Sequence, residues 1–198
     1  MTMRTLGFFR DEKASTAAEF GLVSMLFIGM MLGVIDMARL AHEVNSAKAA
    51  ARHGARVAVV SLPAVSQLAN FDAIASCGIP GGQPIPESAN CVPADYVCTS
   101  TGCGSGTFVK ANFDKVATAM RSYYGRLQPT NVEITYGHRG LGTSGFIGSD
   151  IEPLITVRVI NLTFQPISLQ IFGVAPIPIP SVATTLTAES LGATSATI

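Results

Sequence analysis

The chain has 198 residues, which suits one modest domain plus an anchor and excludes two independent domains. Its 13 basic and 13 acidic residues balance, so no overall field directs it to nucleic acid. Charged residues make up only 13%, about half the usual share of a soluble domain, and the deficit is local: residues 20–35, FGLVSMLFIGMMLGVI, hold none.

Residues 1–14 (MTMRTLGFFRDEKA) form a short leader of mixed charge. Ser15 or Thr16 is placed to cap a helix, and Thr16 to Glu19 fits the T-x-x-E capping box. The uncharged run would span roughly 24 Å as a helix, slightly short of a hydrocarbon core of about 30 Å. Ala17 and Ala18 on one side and Met37, Ala38 and Leu40 on the other supply the missing length. Glu19, Asp36 and Arg39 then fall at the margins, where charge costs far less than at the centre. Asp36 and Arg39, three apart, can pair across one helix face and anchor it. A single membrane-spanning helix is predicted, because no second stretch of this kind follows. Basic residues flank it on both sides (Arg4, Arg10 and Lys13 before; Lys48, Arg52 and Arg56 after), so charge alone does not orient it.

Helical character continues past the membrane. Val44, Ala47, Ala51, Ala55 and Ala58 recur at helical spacing, and Pro63 is the natural stop. The expectation is one helix over 15–62, about 45 residues and roughly 70 Å long. The following stretch is irregular and rich in Gly and Pro. It carries Cys77, Cys91, Cys98 and Cys103 with no C-x-x-C spacing, as a disulfide framework in an oxidising compartment would. That places everything after the span outside the cytoplasm. Four cysteines allow three connectivities, and the local one (77 with 91, 98 with 103) closes the shortest loops.

Residues 108–127 read as an amphipathic helix, with Phe108, Phe113, Val116, Met120 and Tyr124 on a broad face. Strands are predicted at 131–136, 154–164 and 182–188 from β-branched content and alternation. The fold class is therefore α+β: a long N-terminal helix, then a domain over 63–198 with one helix on a three-stranded antiparallel sheet. Residues 169–180 (LQIFGVAPIPIP) are greasy for a loop and too proline-rich to span. They are expected to pack beneath the sheet or to form a subunit contact.

Nothing in the pattern points to catalysis. His42, His53 and His138 are scattered, so no metal is assigned and no cofactor is implied. Gly140 to Gly145 matches G-x-G-x-x-G, but Gly148, Asp150, Pro153 and a strand follow where a phosphate cradle needs a helix. It reads as a flexible hairpin loop. No G-x-S-x-G elbow occurs.

The junction Lys13-Ala14-Ser15-Thr16-Ala17-Ala18-Glu19-Phe20 is the most specific feature. It resembles the processing site of Tad-pilus prepilins: a short leader, four small residues, Glu-Phe or Glu-Tyr, then a hydrophobic run. Gly33 to Arg39 (GVIDMAR) and Ala50 to Arg56 (AARHGAR) are similar to the two helix signatures of TadE-like minor pilins. Asp36, Arg39, Arg52, Gly54 and Arg56 are the family-motif positions. The family usually has Gly before the cut, whereas this chain has Ala14. The resemblance implies a non-enzymatic subunit cleaved between Ala14 and Ser15 by a prepilin peptidase. Its partners would be an assembly platform, a Flp-type major pilin and other minor pilins, with the domain in the periplasm of a bacterial inner membrane. It also implies that Glu19 pairs with the ammonium freed at Ser15 or on a neighbouring subunit. Two readings compete: an unprocessed anchor displaying a binding domain, and a secretory signal cut near Ala47-Lys48-Ala49. The latter requires an unusually long apolar region and the charges of Asp36 and Arg39 before the cut.

Overall fold

A computed structural model of the chain describes residues 12–88, 91, 95–104, 106–145, 149–170, 173 and 175–188. Most of the leader lies outside them. Helix α1 (Glu12–Val60) runs unbroken for 49 residues. Ser15 and Thr16 therefore sit inside the helix and not at its N-cap, because Glu12, Lys13 and Ala14 are themselves good helix formers. The helix ends ahead of Pro63, and the Ser61 hydroxyl donates to the Val57 carbonyl at 2.7 Å, satisfying one of the orphan acceptors of the last turn.

The remaining elements follow in chain order. They are α2 (Ala73–Cys77), β1 (Tyr96–Thr99), β2 (Gly102–Cys103), α3 (Lys110–Tyr123), β3 (Val132–Gly137), β4 (Leu154–Val159), β5 (Thr163–Phe164), α4 (Ile167–Gln170), β6 (Ile177–Pro178) and β7 (Val182–Thr187). They form two compact units. One comprises residues 1–42 and 164–177, the other residues 43–163 and 178–198.

The larger unit carries an antiparallel sheet in the order β2-β1-β3-β4-β7. The mixed α+β class holds, but the sheet has five strands where three were expected. The two extra strands form a hairpin in the cysteine-rich stretch, and at four and two residues they are too short to establish a period-2 pattern. The expected strand 154–164 is also cut. Asn161 takes a left-handed conformation at φ 55°, and the Asn131 side-chain amide donates to the carbonyls of Ile160 and Asn161 at 3.1 and 3.2 Å. These bonds divert the backbone from the ladder, so β5 pairs elsewhere, with β6.

Register sorts the faces. Val132, Ile134 and Tyr136 lie opposite Val159, Val157 and Ile155, and all six are buried. On the other face Glu133 meets Arg158 at 3.0 Å, and Thr156 and Thr185 share a hydrogen bond of 2.9 Å. Such alternation marks a sheet with one covered and one solvated face. Within this unit the buried core also holds Ala47, Ala50, Ala51, Ala55 and Ala58 of α1 and Phe113, Val116, Ala117 and Met120 of α3. α3 is shorter than the expected 108–127, beginning at Lys110.

Candidate functional site

Most positions singled out in the sequence lie on α1. Ala14 and Ser15 lie within it, and Glu19 and Phe20 are exposed on its surface. Among the described residues α1 holds the one helix long and apolar enough to cross a membrane. Only 6% of its most apolar stretch is buried, which separates it from the core helix of a water-soluble fold. Phe20, Leu22, Met25, Leu26 and Met30 are each more than half exposed.

In the smaller unit Asp36 closes this apolar stretch. Its side chain is buried and salt-bridged to Arg39 at 3.2 Å, the pairing expected from their spacing. The same carboxylate accepts the backbone N–H groups of Ile167 and Ser168 at 2.9 and 2.8 Å, together with the Ser168 hydroxyl. It thus serves as the N-terminal cap of α4 from another part of the chain, a task usually done by a residue next to the helix. The Arg39 guanidinium lies 5.5 Å from the centre of the Phe164 ring, within cation–π range.

In the larger unit two further positions of α1 hold later segments. Buried Glu43 accepts from the Tyr124 hydroxyl at 3.4 Å and pairs with Arg126. Burial, and secondly the Glu43 charge, push the Tyr124 hydroxyl pKa up. Gly54 has no room for a side chain: a Cβ there would come within 2.4 Å of Met120 Cγ and 3.3 Å of Val157 Cγ1. The glycine in the second helix signature is thus a contact point where α1 meets both α3 and the sheet. Arg52 and Arg56 are exposed, on another side of the helix. His53 lies against Tyr123 with ring centres 4.5 Å apart.

The structure pairs Cys77 with Cys91 and Cys98 with Cys103, the local scheme. The first bond ties down the end of α2, whose N-terminus is capped by Asp72 and whose Ala73 N–H is accepted by buried Asp150 at 2.8 Å. A small apolar cluster of Phe71, Ala73, Ile85 and Ile151 packs beneath it. The second bond staples the β1–β2 hairpin. Beyond it Asp95 meets Arg139 in a two-pronged ion pair at 2.9 and 2.7 Å, which holds the Asp95 carboxyl below its ordinary range. Tyr136, at the sheet's centre, accepts the Ala64 N–H at 3.0 Å, and burial pushes its hydroxyl pKa up to about 12.

The glycine-rich loop is no phosphate cradle. Gly142 bridges Ile151, Thr143 bridges Pro84, and Ser144 donates its hydroxyl and its N–H to the Gln83 carbonyl. The loop is tied to its surroundings, not the free hairpin expected. At Gly142, φ is +127° and an added Cβ would strike the Asp150 carbonyl at 2.2 Å, so glycine is required for close backbone approach. Among the described residues no three metal-ligating side chains come together. A shallow groove of about 260 Å³ beside α3 is lined by Lys110, Asp114, Arg121 and Leu127, smaller than an ordinary ligand site. The expected buried or contact segment 169–180 is split among its described residues: Ile179 is buried, whereas Ile177 is 40% exposed.

Glu43 and Ser168 were invisible to sequence reasoning, because their partners lie 81 and 132 positions away and carry no motif. A buried acid on a helix face was the only available signal.

Among the described residues these features combine a helix of membrane-spanning length and composition with a disulfide-bonded α+β unit. Residues 14–56 match the family model described as TadE-like protein, so that segment is similar to the family. The matched segment contains Glu19, Asp36, Glu43 and Gly54. No curated protein and no solved structure matches the chain.

Proposed function

We propose that this protein is a non-enzymatic, pilin-like subunit that takes part in assembly or priming of a Tad-type pilus. The observation that carries this reading is that the TadE-like match coincides with a helix of membrane-spanning composition that continues into the core of an α+β domain. A prepilin peptidase removes the leader between Ala14 and Ser15. The freed ammonium at Ser15 then pairs with Glu19 of the same or a neighbouring subunit, which spares that carboxylate an unpaired place in a filament core. The domain stands on the periplasmic side of the inner membrane, where the two disulfides form, and meets the assembly platform, the major pilin and other minor pilins.

A second reading, an unprocessed membrane anchor displaying a binding domain, is favoured by one observation: α1 already includes Glu12, so the Ala14–Ser15 bond lies within helix. The N-terminal residue of the mature protein decides. Ser15 supports the pilin reading, an intact leader the anchor, and a start near residue 50 a secreted domain.

A further inference from the structure

The segment between β4 and β7 is chemically unusual. No charged residue occurs from Val159 to Ala188, although the chain leaves the sheet here and returns to it. Its middle part belongs to the same compact unit as the apolar half of α1. Ile167 is 52% exposed and Ile177 40% exposed, and Ala175 and Pro176 are also exposed. Soluble domains seldom leave such uncharged, apolar chain open to water.

The height of this segment along α1 is fixed by Asp36. With a rise of about 1.5 Å per residue, a helix entering hydrocarbon near Ala17 reaches the far boundary of a core of about 30 Å at Asp36. The α4 segment is hydrogen-bonded at that level. Backbone N–H groups brought near lipid must be satisfied within the protein, and Asp36 supplies the acceptor for two of them. Arg39, with its side chain 39% exposed and its guanidinium on the Phe164 ring, lies one turn further out, where a cation meets lipid phosphates. Beside it Met37, Val34 and Ile35 remain at least half exposed, so the apolar surface of α1 reaches the same level.

We propose that Ile167 and Ile177, on the uncharged excursion pinned to α1 through Asp36, rest in the outer interface of the phospholipid bilayer as a second membrane contact. The proposal rests on the membrane-anchored reading above. It makes the subunit a two-point guest of the bilayer, with the helix fixing its position and the excursion fixing its rotation about the helix axis.

The chain contains no tryptophan, which provides a direct test. Full-length protein carrying Ile167→Trp or Ile177→Trp is reconstituted in phosphatidylcholine–phosphatidylglycerol vesicles containing brominated lipids. Met25→Trp reports the span, and Val97→Trp, on the sheet's exposed face, reports solvent. Trp at 167 or 177 is expected to emit at shorter wavelength than at 97. It should be quenched about twofold more by lipids brominated near the head of the acyl chain than by those brominated near its end, as suits a depth of about 5–10 Å. Met25→Trp should show the reverse depth preference. If Met25→Trp is quenched while 167 and 177 are not, the anchor stands and the interfacial contact is wrong. A short-wavelength emission at 167 without lipid quenching places a protein surface there, and also overturns the proposal. If no position is quenched, the membrane reading and the proposal fall together.

Discussion

Asp36 and Ser168 stand 132 positions apart, yet the carboxylate accepts both the backbone N–H, at 2.8 Å, and the hydroxyl of the serine. Asp36→Ala removes the acceptor for the N–H groups of Ile167 and Ser168. Both bonds are only partly buried, so their loss costs about 1 kcal/mol and amide exchange at these two residues should accelerate several-fold. Exchange at the amides of β3 and β4 should not change. Asp36→Asn keeps one oxygen acceptor and should fall between.

The Gly54 contact opposes two known effects. Alanine gains about 1 kcal/mol of helix propensity over glycine, whereas forcing a methyl into a packed core costs about 1–3 kcal/mol. Because the intruded atom is Met120 Cγ, close to the backbone and fully buried, the steric term should win. Gly54→Ala is therefore expected to lower the Tm of the detergent-solubilised protein, and Gly54→Val to lower it further. Met120→Ala should rescue much of the loss, so that the double variant is more stable than the two single effects summed.

Tyr136 sets an alkaline limit. Its folded pKa, about 12, lies above the ordinary value of 10.0, so the unfolded chain loses this proton first as pH rises. The stabilisation is complete below pH 10 and disappears as pH climbs through 12, at most about 2–3 kcal/mol for a shift of this size. Denaturant melts in that window should show the fall. Tyr136→Phe should flatten that slope, at a cost of about 1–3 kcal/mol at neutral pH for leaving the Ala64 N–H unpaired. Equal slopes in both proteins would move the effect to Tyr96 or Tyr124.

The two disulfides close loops with separations of 14 and 5 residues. By the loop-entropy estimate the Cys77–Cys91 bond contributes about 3 kcal/mol and the Cys98–Cys103 bond about 2 kcal/mol. Paired Cys→Ser variants should rank in that order by Tm. Thiol labelling of protein extracted without reductant should detect no free cysteine.

Glu19→Gln keeps the side-chain length and should weaken the helix start by well under about 1 kcal/mol, while removing the charge proposed to pair with the Ser15 ammonium. The variant should be made, inserted and cleaved, yet poorly assembled, as read by membrane fractionation, the size of the mature chain and pilus yield. Ala14→Gly should preserve or speed cleavage and leave assembly intact. Normal piliation with Glu19→Gln would refute the charge pairing and leave Glu19 a helix residue.

Much of the architecture was legible in the chain. The membrane-length helix announces itself through uncharged residues 20–35, its continuation through Ala47, Ala51, Ala55 and Ala58, and β3 through Val132, Ile134 and Tyr136. Period and composition are local, so local patterns revealed them. The β1–β2 hairpin escapes because four residues (Tyr96–Thr99) and two (Gly102–Cys103) are too few to establish a period. The break after β4 depends on an amide from Asn131, 29 and 30 residues earlier. The three-residue spacing of Asp36 and Arg39 makes their pairing legible, but no spacing reveals the bond of Asp36 to α4.

The alanine face of α1 has a consequence for the timing of biogenesis. The helix is synthesised first, but its buried residues find their sheet only when strands made much later have arrived; Ala64, just past the helix, waits 72 residues for Tyr136. β4 in turn waits for β7, its outer neighbour, whose paired residues lie 23 to 33 positions further along. Contacts of such long sequence separation form slowly, because loop closure precedes any gain. Under the proposed topology the chain crosses the membrane as an unfolded thread, with its apolar helix embedded and its small-residue stripe uncovered. During that interval the stripe is an open invitation to the wrong partner, which makes the last strand the step that commits the subunit to its final shape.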